Sequence, residues 1–563
     1  MKLQPGISPP KRPVSFGWKP KLVESLASYS RTVFISDLIA GITVGLVALP
    51  LAMAFGIASG VTPEAGIYTA IVGGFIVAAL GGSKVQVAGP TGAFVVIVAG
   101  IIAEHGLSGL LIVTMMAGVI LLFLGLTGLG TAVKYIPRPI VIGFTNGIAI
   151  LIVSTQLKDF FGLPLEQSPS EFIPRLAAVI RALPQVDMAT FAVAGGSLGL
   201  IIGMRKLTPR VPGSIAAVIL GTGAAVLFGL PVETIGSRFG GIPAGLPAFN
   251  IPPFEPALIL PLLPAALTVA VLAAVESLLS AVIADQMTGD KHDSNAELAA
   301  QGVANLAAPM FGGIPVTGAI ARTATNIRSG AKTPIAGIVH ALTLLAVILV
   351  LTPLAASIPL ATLAAVLVVA AYNMGEWGEI KDILRLELPD ISVWLITFAL
   401  TVVADLTVAV EVGMALAALL YIYRVSDTTS VSIVTPQSIE EDRPHVLQDK
   451  DVPPYVSILR IHGPFLFGAS DKLEEATADL SSYGETVVVR LRNMTVIDAT
   501  GLHALERLTE RVHQSGRHLL MCGARSQPAR YIAQSDLLDF VGPENFLPHA
   551  QGALVRAREL HAK

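Results

Sequence analysis

The sequence predicts an α-helical membrane protein with many spans, followed by a small soluble α/β domain. Two observations carry this prediction. The chain has 563 residues, of which 53% are hydrophobic and 14% charged, whereas soluble proteins carry about 25% charged residues. The charges are also uneven, because Leu38–Tyr423 holds 36 of the 77 charged residues in 386 positions. A chain this apolar excludes a wholly soluble or disordered protein.

The N-terminal arm, residues 1–36, is basic and rich in proline. It lacks the short apolar core and small-residue cleavage site of a secretory signal. If the arm is cytosolic, the loops on its side carry most lysines and arginines, and the opposite loops carry only Lys158, Arg175, Arg181 and Arg238. The positive-inside rule therefore predicts both ends in the cytosol and an even number of spans.

Fourteen apolar stretches lie between residues 37 and 425, the predicted transmembrane domain. They occupy residues 38–58, 64–80, 88–103, 107–130, 137–157, 188–203, 211–229, 257–284, 295–309, 316–326, 334–354, 359–374, 390–408 and 410–423. A straight span needs about 20 apolar residues, and several stretches are shorter. Short segments with glycine or proline are typical of broken helices in transporters. Loop charge alone does not distinguish fourteen spans from twelve.

A faint internal repeat links the two halves of this domain. Leu80–Gly82 precedes the third stretch and Phe311–Gly313 precedes the tenth, 231 positions later. Seven segments followed by seven equivalent ones predict an inverted repeat, because an odd number of spans reverses the second copy. We therefore expect two intertwined halves with a binding site between them.

The third segment opens with Gly89, Pro90 and Thr91. Proline is tolerated at a helix start, and glycine lets another group approach the backbone. A helix that begins inside the membrane presents unpaired N–H groups and its positive dipole end to the interior. This pattern predicts an anion site, and an ordinary kinked helix is the alternative.

The tenth segment carries Arg322 close to its start. The offset of 231 residues pairs Gly89 with Ile320 and Thr91 with Arg322, so the two helix starts are expected at symmetry-related places. A guanidinium inside a membrane is costly unless it is paired or faces water. Arg322 is thus a candidate counter-charge for an anion. The alternative is an arginine that reaches the cytosol or pairs with an acid.

Glu276 lies in the middle of the eighth segment, among apolar residues. A titratable acid near an anion site is a candidate for proton coupling or cation binding. The alternative is a structural partner for Arg322 or for backbone amides. For Asp285, His340 and Asp405 we expect structural roles.

Other polar and small residues predict helix packing. Glu297, Gln301 and Asn305 recur at intervals of four, which places them on one face of the ninth helix. Such a polar stripe favours contacts between helices over contact with a substrate. Gly41 and Gly45 form a small-residue pair that is typical of close helix packing.

Several function classes are excluded by what the sequence lacks. Cys522 is the single cysteine, so neither a disulfide framework nor a zinc motif is possible. No phosphate-binding loop or dinucleotide fingerprint occurs, which argues against an internal ATPase. We expect no cofactor, no resident metal and no enzymatic activity. The net charge of −3 gives no reason to expect a nucleic-acid partner.

The C-terminal part reads as a polar linker, residues 426–453, and an α/β domain, residues 454–563. Strand-like alternation and helical periodicity alternate along this domain. The predicted strands are Tyr455–Ile461, Thr486–Leu491 and His518–Cys522, and the predicted helices are Ser470–Ser482, Ala499–Gln514, Gln527–Gln534 and Ala550–Leu560.

The chain resembles the sulfate permease family over about residues 31–560. The resemblance rests on segments Leu49–Gly56, Gly66–Tyr68, Val87–Thr91, Asn295–Asn305 and Ala321–Thr323, taken in this order. The C-terminal domain resembles a STAS domain, since Asp498–Gly501 matches its Asp-x-Ser/Thr-Gly turn.

This resemblance implies a core of segments 1–4 and 8–11 and a gate of segments 5–7 and 12–14, with the anion between the starts of segments 3 and 10. The implied anion-binding residues are Phe55, Gly89, Pro90, Thr91, Ala319, Ile320, Ala321 and Arg322. Glu276 occupies a position that the family links to ion coupling.

Two departures from the family pattern bear on function. Leu51 stands where many animal members have glutamine. Ser280 fits the sodium-driven bicarbonate relatives, but Ile320 lacks the hydroxyl expected in segment 10. Protons are therefore favoured over sodium as the coupling ion. The first three segments are most similar to proton-coupled bacterial dicarboxylate carriers.

The expected function is secondary transport of small anions, such as sulfate, a C4-dicarboxylate or bicarbonate, through a bacterial cytoplasmic membrane. The family also implies a homodimer in the lipid bilayer. Thr500 is a regulatory candidate that could bind a cytosolic partner or be phosphorylated, although a plain helix cap is favoured. A membrane-anchored STAS signalling scaffold and an uncoupled anion channel remain as alternatives.

Overall fold

The computed structural model describes residues 18–27, 29–128, 137–165, 169, 171–207, 212–241, 245, 248–252, 256–404, 406–434 and 452–562. The chain divides into two compact units, of which the first ends at Ala417 and the second begins at Ala418. Much of the predicted arm, most of the predicted linker and Asp405 lie outside the described residues.

The first unit consists mainly of helices, the last of which continues past Ala417. The main ones are α1 Arg31–Ala58, α2 Pro63–Leu80, α3 Gly92–Leu126, α4 Arg138–Phe161, α5 Phe172–Ala182, α6 Met188–Leu207, α7 Gly213–Leu227, α8 Ile259–Thr288, α9 Ser294–Ala307, α10 Ile320–Arg328, α11 Ile335–Ala355, α12 Leu360–Met374, α13 Leu388–Val403 and α14 Leu406–Asp427. Short helices add Lys21–Leu26, Ile235–Phe239 and Glu379–Ile383.

Each of the fourteen predicted stretches overlaps a helix, and the chain is a polytopic α-helical membrane protein. Stretches three and four are the two arms of α3, which bends at Gly106 with a φ of 66°. Within the described chain, seven helices are long and apolar enough to cross a membrane, and three shorter apolar helices accompany them. The helix α5 was not predicted.

The start of α1 corrects the predicted end of the arm at residue 36. The helix begins at Arg31, because the Ser30 hydroxyl accepts a hydrogen bond from the N–H of Val33 at 3.3 Å. A side-chain cap of this kind stabilises a helix start ahead of the apolar stretch.

The membrane helices form two bundles, as the core and gate prediction requires. In the first bundle α11 packs on α1 and α2, α9 packs on α2 and α3, and α8 packs on α3 and α10. Gly41 permits the α1–α11 contact, since a Cβ there would lie 2.5 Å from the Ala336 carbonyl oxygen. In the second bundle α4 packs on α12 and α13, and α6 packs on α7 and α12.

Two short strands interrupt the first bundle and correct two predicted helix starts. The strand β1 Ala88–Gly89 precedes α3, and β2 Thr317–Gly318 precedes α10. The apolar stretches 88–103 and 316–326 therefore begin as extended chain, because the backbones of these residues pair with each other in place of forming helical hydrogen bonds.

The second unit contains a five-stranded sheet in the order β3-β4-β5-β6-β7. Its strands are β3 Ser430–Val434, β4 Val456–Phe465, β5 Thr486–Ile497, β6 His518–Cys522 and β7 Phe546–Leu547. The pair β3–β4 is antiparallel and the others are parallel. Since β3 lies in the predicted linker, the boundary at residue 453 is wrong. The linker contributes an edge strand, with Val431 packed against the core.

Helices cover both faces of this sheet. They are α15 Ser470–Ala476, α16 Ala499–Gln514, α17 Ser526–Ile532, α18 Leu537–Val541 and α19 Ala550–His561. The first four pack on one face, and α19 packs on the other. The predicted helix Ser470–Ser482 is shorter, because α15 ends at Ala476 and a separate turn spans Leu480–Ser482.

Candidate functional site

The strands β1 and β2 cross inside the first bundle. Ala88 pairs with Gly318, and Gly89 pairs with Thr317, in antiparallel orientation. The helices α3 and α10 begin directly after these strands, so both helix starts lie at the crossing. The structure therefore brings together the two segments that the sequence singled out.

The crossing also corrects the residue pairing of the internal repeat. The strands start 229 positions apart and the helices 228. The offset of 231, which paired Gly89 with Ile320 and Thr91 with Arg322, is wrong because the loops between the Gly-Gly pairs and the strands differ in length. With the corrected offset Arg322 pairs with Phe94. At this pair of positions, a cation stands only in the second half of the repeat.

Both helix starts lack a side-chain cap. The residues before the first turn are Thr91 for α3 and Ala319 for α10, and neither side chain accepts a hydrogen bond from the helix. The first N–H groups of a helix have no intrahelical partner, and the helix dipole makes this end positive. The crossing can therefore receive an anion.

Arg322 lies in the first turn of α10 with only 3% of its surface exposed. Its Nη2 donates to the carbonyl oxygen of Pro90, while Nη1 has no hydrogen-bond partner in the described part of the chain. Gly89 makes room for this guanidinium, because a Cβ there would lie 2.6 Å from Nη1. The φ of 154° at Gly89 also favours glycine.

Glu276 approaches the same place from α8. The Thr91 hydroxyl donates a hydrogen bond of 2.8 Å to Oε2 of this partly buried carboxylate. Among the described ion pairs, none joins Glu276 to Arg322. The structure thus shows no direct ion pair between them, and the observed partner of Glu276 is the Thr91 hydroxyl.

Phe55 of α1 lies beside the start of α3. A Cβ on Gly92 would be 3.3 Å from the Phe55 ring, 2.8 Å from Ile152 and 3.4 Å from Met374. Ile152 belongs to α4 and Met374 to α12, so the second bundle also reaches this helix start. The sequence analysis missed both residues, because nothing in their local pattern separates them from other apolar positions.

Ser280 stands behind the crossing. Its hydroxyl donates to the Thr323 hydroxyl at 3.1 Å, and Thr323 Oγ1 accepts the N–H of Val87 at 3.0 Å. One turn earlier, Ser277 Oγ accepts the N–H of Gly318 at 3.0 Å. The α8 hydroxyls therefore hold the strands in place, and their spacing of three residues was the signal that could have shown it.

The polar stripe of α9 fixes the chain before each strand. Glu297 accepts a hydrogen bond from Gln86 Nε2 at 2.8 Å and another from Gln301 at 3.1 Å. Asn305 exchanges two hydrogen bonds with the Val316 backbone, at 2.8 and 2.9 Å. The stripe therefore makes structural contacts, but its partners are the chain segments before the two strands and not the neighbouring helices that the sequence predicted.

The remaining predicted residues lie around the site or apart from it. Ala319 is buried, Ile320 is partly buried and Ala321 is exposed. His340 is fully buried, and its ring nitrogens have no partner within the described chain. Asp285 accepts a hydrogen bond of 3.0 Å from the N–H of His292 in the loop after α8, in keeping with the expected structural role.

Comparison with known proteins assigns the family. The sulfate permease family model matches residues 34–397, and the STAS domain model matches residues 448–553. The Bacillus subtilis protein named "Putative sulfate transporter YvdB" is 41% identical over 524 residues, which cover 92% of this chain and 97% of that protein. The chain belongs to the sulfate permease family.

Other proteins similar to this sulfate permease family member support the same family assignment. The bicarbonate transporter BicA of Picosynechococcus is 31% identical over 92% of this chain and 94% of its own. The solved transmembrane domain of a cyanobacterial BicA matches with a TM-score of 0.62 at 32% identity, covering 69% of this chain and 98% of that domain. Murine Slc26a9 in an inward-facing state shares the fold, with a TM-score of 0.87 at 19% identity over 97% and 94% of the chains.

The STAS domain of this family member corrects the helix cap expected at Thr500. Asp498 caps α16, since its Oδ1 accepts the N–H of Gly501 at 2.8 Å and its Oδ2 accepts the N–H of Phe467 at 2.9 Å. Thr500 lies exposed in the first turn. The positive end of the helix dipole also stabilises a carboxylate at this place, so the cap does not need the threonine hydroxyl.

Proposed function

We propose that this protein is a secondary active transporter of small anions. The observation that carries the proposal is Arg322 Nη1, which has no partner in the described chain and lies at the uncapped starts of α3 and α10. A guanidinium and two positive helix ends attract an anion, and they act strongly where water is scarce. The anion would complete the hydrogen bonds that the protein leaves open.

The substrate class follows from the chemistry of the site and from the relatives. Sulfate, a C4-dicarboxylate and bicarbonate all offer oxygen atoms to a guanidinium and to backbone N–H groups. The relatives named above carry the names of sulfate and bicarbonate transporters. We propose that the substrate comes from this class of small oxygen-rich anions.

Alternating access is supported by the position of the site between the bundles. Phe55 approaches the start of α3 from the first bundle, and Ile152 and Met374 approach it from the second. Movement of one bundle against the other would open the site to either side in turn. We further propose a bacterial cytoplasmic membrane, cytosolic termini and a homodimer, with the STAS domain available to a cytosolic partner.

Proton coupling is proposed through Glu276. The Thr91 hydroxyl donates to its carboxylate at the start of α3, so protonation of Glu276 would change this hydrogen bond. Sodium is less favoured because the side chain of Ile320, at the start of α10, has no oxygen that could bind the ion.

Uptake into proteoliposomes tests the proposal. Purified protein should accumulate at least one labelled anion of a panel containing sulfate, succinate, bicarbonate and chloride, with saturation, and more strongly when the outside is acidic. Sodium should not change the rate. Conduction that never exceeds electrochemical equilibrium would identify a channel, and the absence of uptake for every anion would favour the STAS signalling scaffold.

Two arginines of α10 provide the matched variants. Arg322→Ala should reduce uptake to the level of empty liposomes while the protein remains folded and inserted. Arg328→Ala removes the same charge from the exposed end of the helix and should leave uptake unchanged. Normal uptake by Arg322→Ala would overturn the assignment of the site.

A further inference from the structure

The second unit contains a basic cavity that the proposed transport does not use. The cavity has a volume of about 150 Å³, and its lining includes Arg490, Arg492, Arg525, Cys522 and His549. Arg490 is 6% exposed, whereas Arg492, Arg525 and His549 are exposed at the rim. One buried guanidinium thus lies beneath three basic side chains. We refer to these five residues as the basic cavity.

The strand β5 explains why these side chains share a face. Val487, Val489 and Leu491 enter one core of the domain, and the alternate residues face the other way. On that second face α19 covers Val488. The next two residues of the strand on this face are Arg490 and Arg492. The apolar half of the face is therefore packed under a helix, and its other half is cationic.

The charge of Arg490 has no counter-charge among the residues that the structure describes. Among the described residues no carboxylate pairs with Arg490, Arg492 or Arg525. In the sheet Arg490 lies in register between Arg460 and Cys522. Burial, together with the guanidinium of Arg460, lowers the pKa of Arg490. A buried cation without a counter-charge is strongly destabilising, so a bound anion would relieve this cost.

The start of α19 adds hydrogen-bond donors to the cavity. Ala550, the first residue of this twelve-residue helix, is part of the lining. The capping position is His549, whose side chain makes no hydrogen bond to the helix. The first backbone N–H groups are therefore free to bind an anion next to the arginines.

We propose that the basic cavity binds one phosphate or sulfate group, as the free ion or as part of a larger soluble molecule. Arginine forms paired hydrogen bonds with such tetrahedral oxyanions. A pocket for a whole drug-sized ligand has about 300–1,000 Å³, so the cavity suits a single oxyanion group whose remainder extends into solvent. Thr500 is not part of the lining, and the proposal is independent of the transport site.

Calorimetric titration of the full-length protein in detergent tests this binding. The Arg322→Ala background removes the cation of the membrane site, and the titrants are inorganic phosphate, sulfate, ADP and chloride. We expect saturable binding of phosphate or sulfate and none of chloride. A preference for ADP would identify the source as a phosphate ester. Arg490→Gln should weaken binding roughly 10- to 100-fold.

Arg507→Gln is the matched control, because Arg507 pairs with Glu474 away from the cavity. It should bind like the parent. Arg490→Met should raise the melting temperature of the ligand-free STAS domain, since it removes a buried charge, and should abolish the stabilisation by phosphate or sulfate. If none of phosphate, sulfate and ADP binds in the Arg322→Ala background, or Arg490→Gln leaves binding intact, the proposal is overturned. A lower melting temperature for Arg490→Met would mean that Arg490 stabilises the ligand-free fold, which would also overturn the proposal.

Discussion

The hydroxyl of Thr91 donates a hydrogen bond of 2.8 Å to a carboxylate oxygen of Glu276. This contact joins the start of α3 to the middle of α8. Pro90, the residue before Thr91, accepts a hydrogen bond from Arg322 on α10. The carboxylate of Glu276 and the guanidinium of Arg322 come from different helices and contact consecutive residues before α3. A change in either side chain therefore affects the same helix start.

Glu276→Gln is expected to separate anion binding from proton coupling. The amide keeps the size of the side chain and can still accept from Thr91, but it cannot exchange a proton. Uptake driven by a pH gradient should be lost, while exchange of internal for external anion persists. Glu104→Gln, an exposed acid on α3, is the control and should behave as wild type. Retained pH-driven accumulation in Glu276→Gln would assign the coupling elsewhere.

Gly89→Ala should impair transport without a change in charge. The added methyl group would lie 2.6 Å from Arg322 Nη1, so the guanidinium must move away from the site. Loss of a hydrogen bond to a charged group predicts a KM for the anion roughly 10- to 100-fold higher. Gly100→Ala adds its methyl group to open space on α3, the helix that follows β1, and should leave KM unchanged. An unaltered KM in Gly89→Ala would contradict the assigned position of Arg322.

Glu297→Ala should destabilise the first bundle. The carboxylate accepts hydrogen bonds from the backbone N–H of Gly82 at 3.0 Å and from Gln86 at 2.8 Å. Each buried donor left without a partner costs about 1–3 kcal/mol. We expect a clearly lower melting temperature of the detergent-solubilised protein. Lys291→Ala, in the exposed loop before α9, is the control, and an equal effect of both substitutions would refute this role.

Asp498→Ala and Thr500→Ala should differ in their effect on the STAS domain. Asp498 caps α16 and also binds the N–H of Phe467, whereas Thr500 is exposed. Loss of the cap should cost about 1 kcal/mol of unfolding free energy. Thr500→Ala should stay within about 0.5 kcal/mol of wild type. The measurement is the thermal unfolding of the domain within the full-length protein, and the reverse order would restore the cap to Thr500.

Much of the fold was predictable, because the bilayer constrains composition more strongly than packing does. Apolar stretches marked the positions of the membrane helices, and the β-rich run Thr486–Leu491 marked a strand. The errors lie at element ends. Ser30 starts α1 early through a capping hydrogen bond, and Ser430–Val434 becomes a strand through a partner more than twenty residues away. Neither effect is visible in local hydropathy.

Part of the candidate site could be predicted from the sequence, but the full set of residues that surround it could not. Arg322 and Glu276 stood out because charges inside an apolar segment are costly. Ser277 and Thr323 did not stand out, since hydroxyl side chains are common on helices and cost little free energy there. Only the structure shows that these two hydroxyls accept hydrogen bonds from the backbone at the strand crossing. Ile152 and Met374 are ordinary apolar residues until the second bundle places them beside Gly92.

The sequence by itself determined the class of the protein, a charge-poor membrane domain joined to a STAS domain, and the few charges worth testing. These depend on composition and on the local sequence, because the partitioning of a segment between water and lipid is set by the residues it contains. The tertiary structure decided which residue of the first half corresponds to Arg322, which hydroxyl contacts Glu276 and which backbone carbonyl accepts from Arg322. The Thr91–Glu276 bond joins residues 185 positions apart and the Arg322–Pro90 bond joins residues 232 positions apart, so both follow from packing. The cap of α16 is local, from Asp498 to Gly501, but the second bond of Asp498 reaches Phe467, 31 positions away, and only the folded domain shows it.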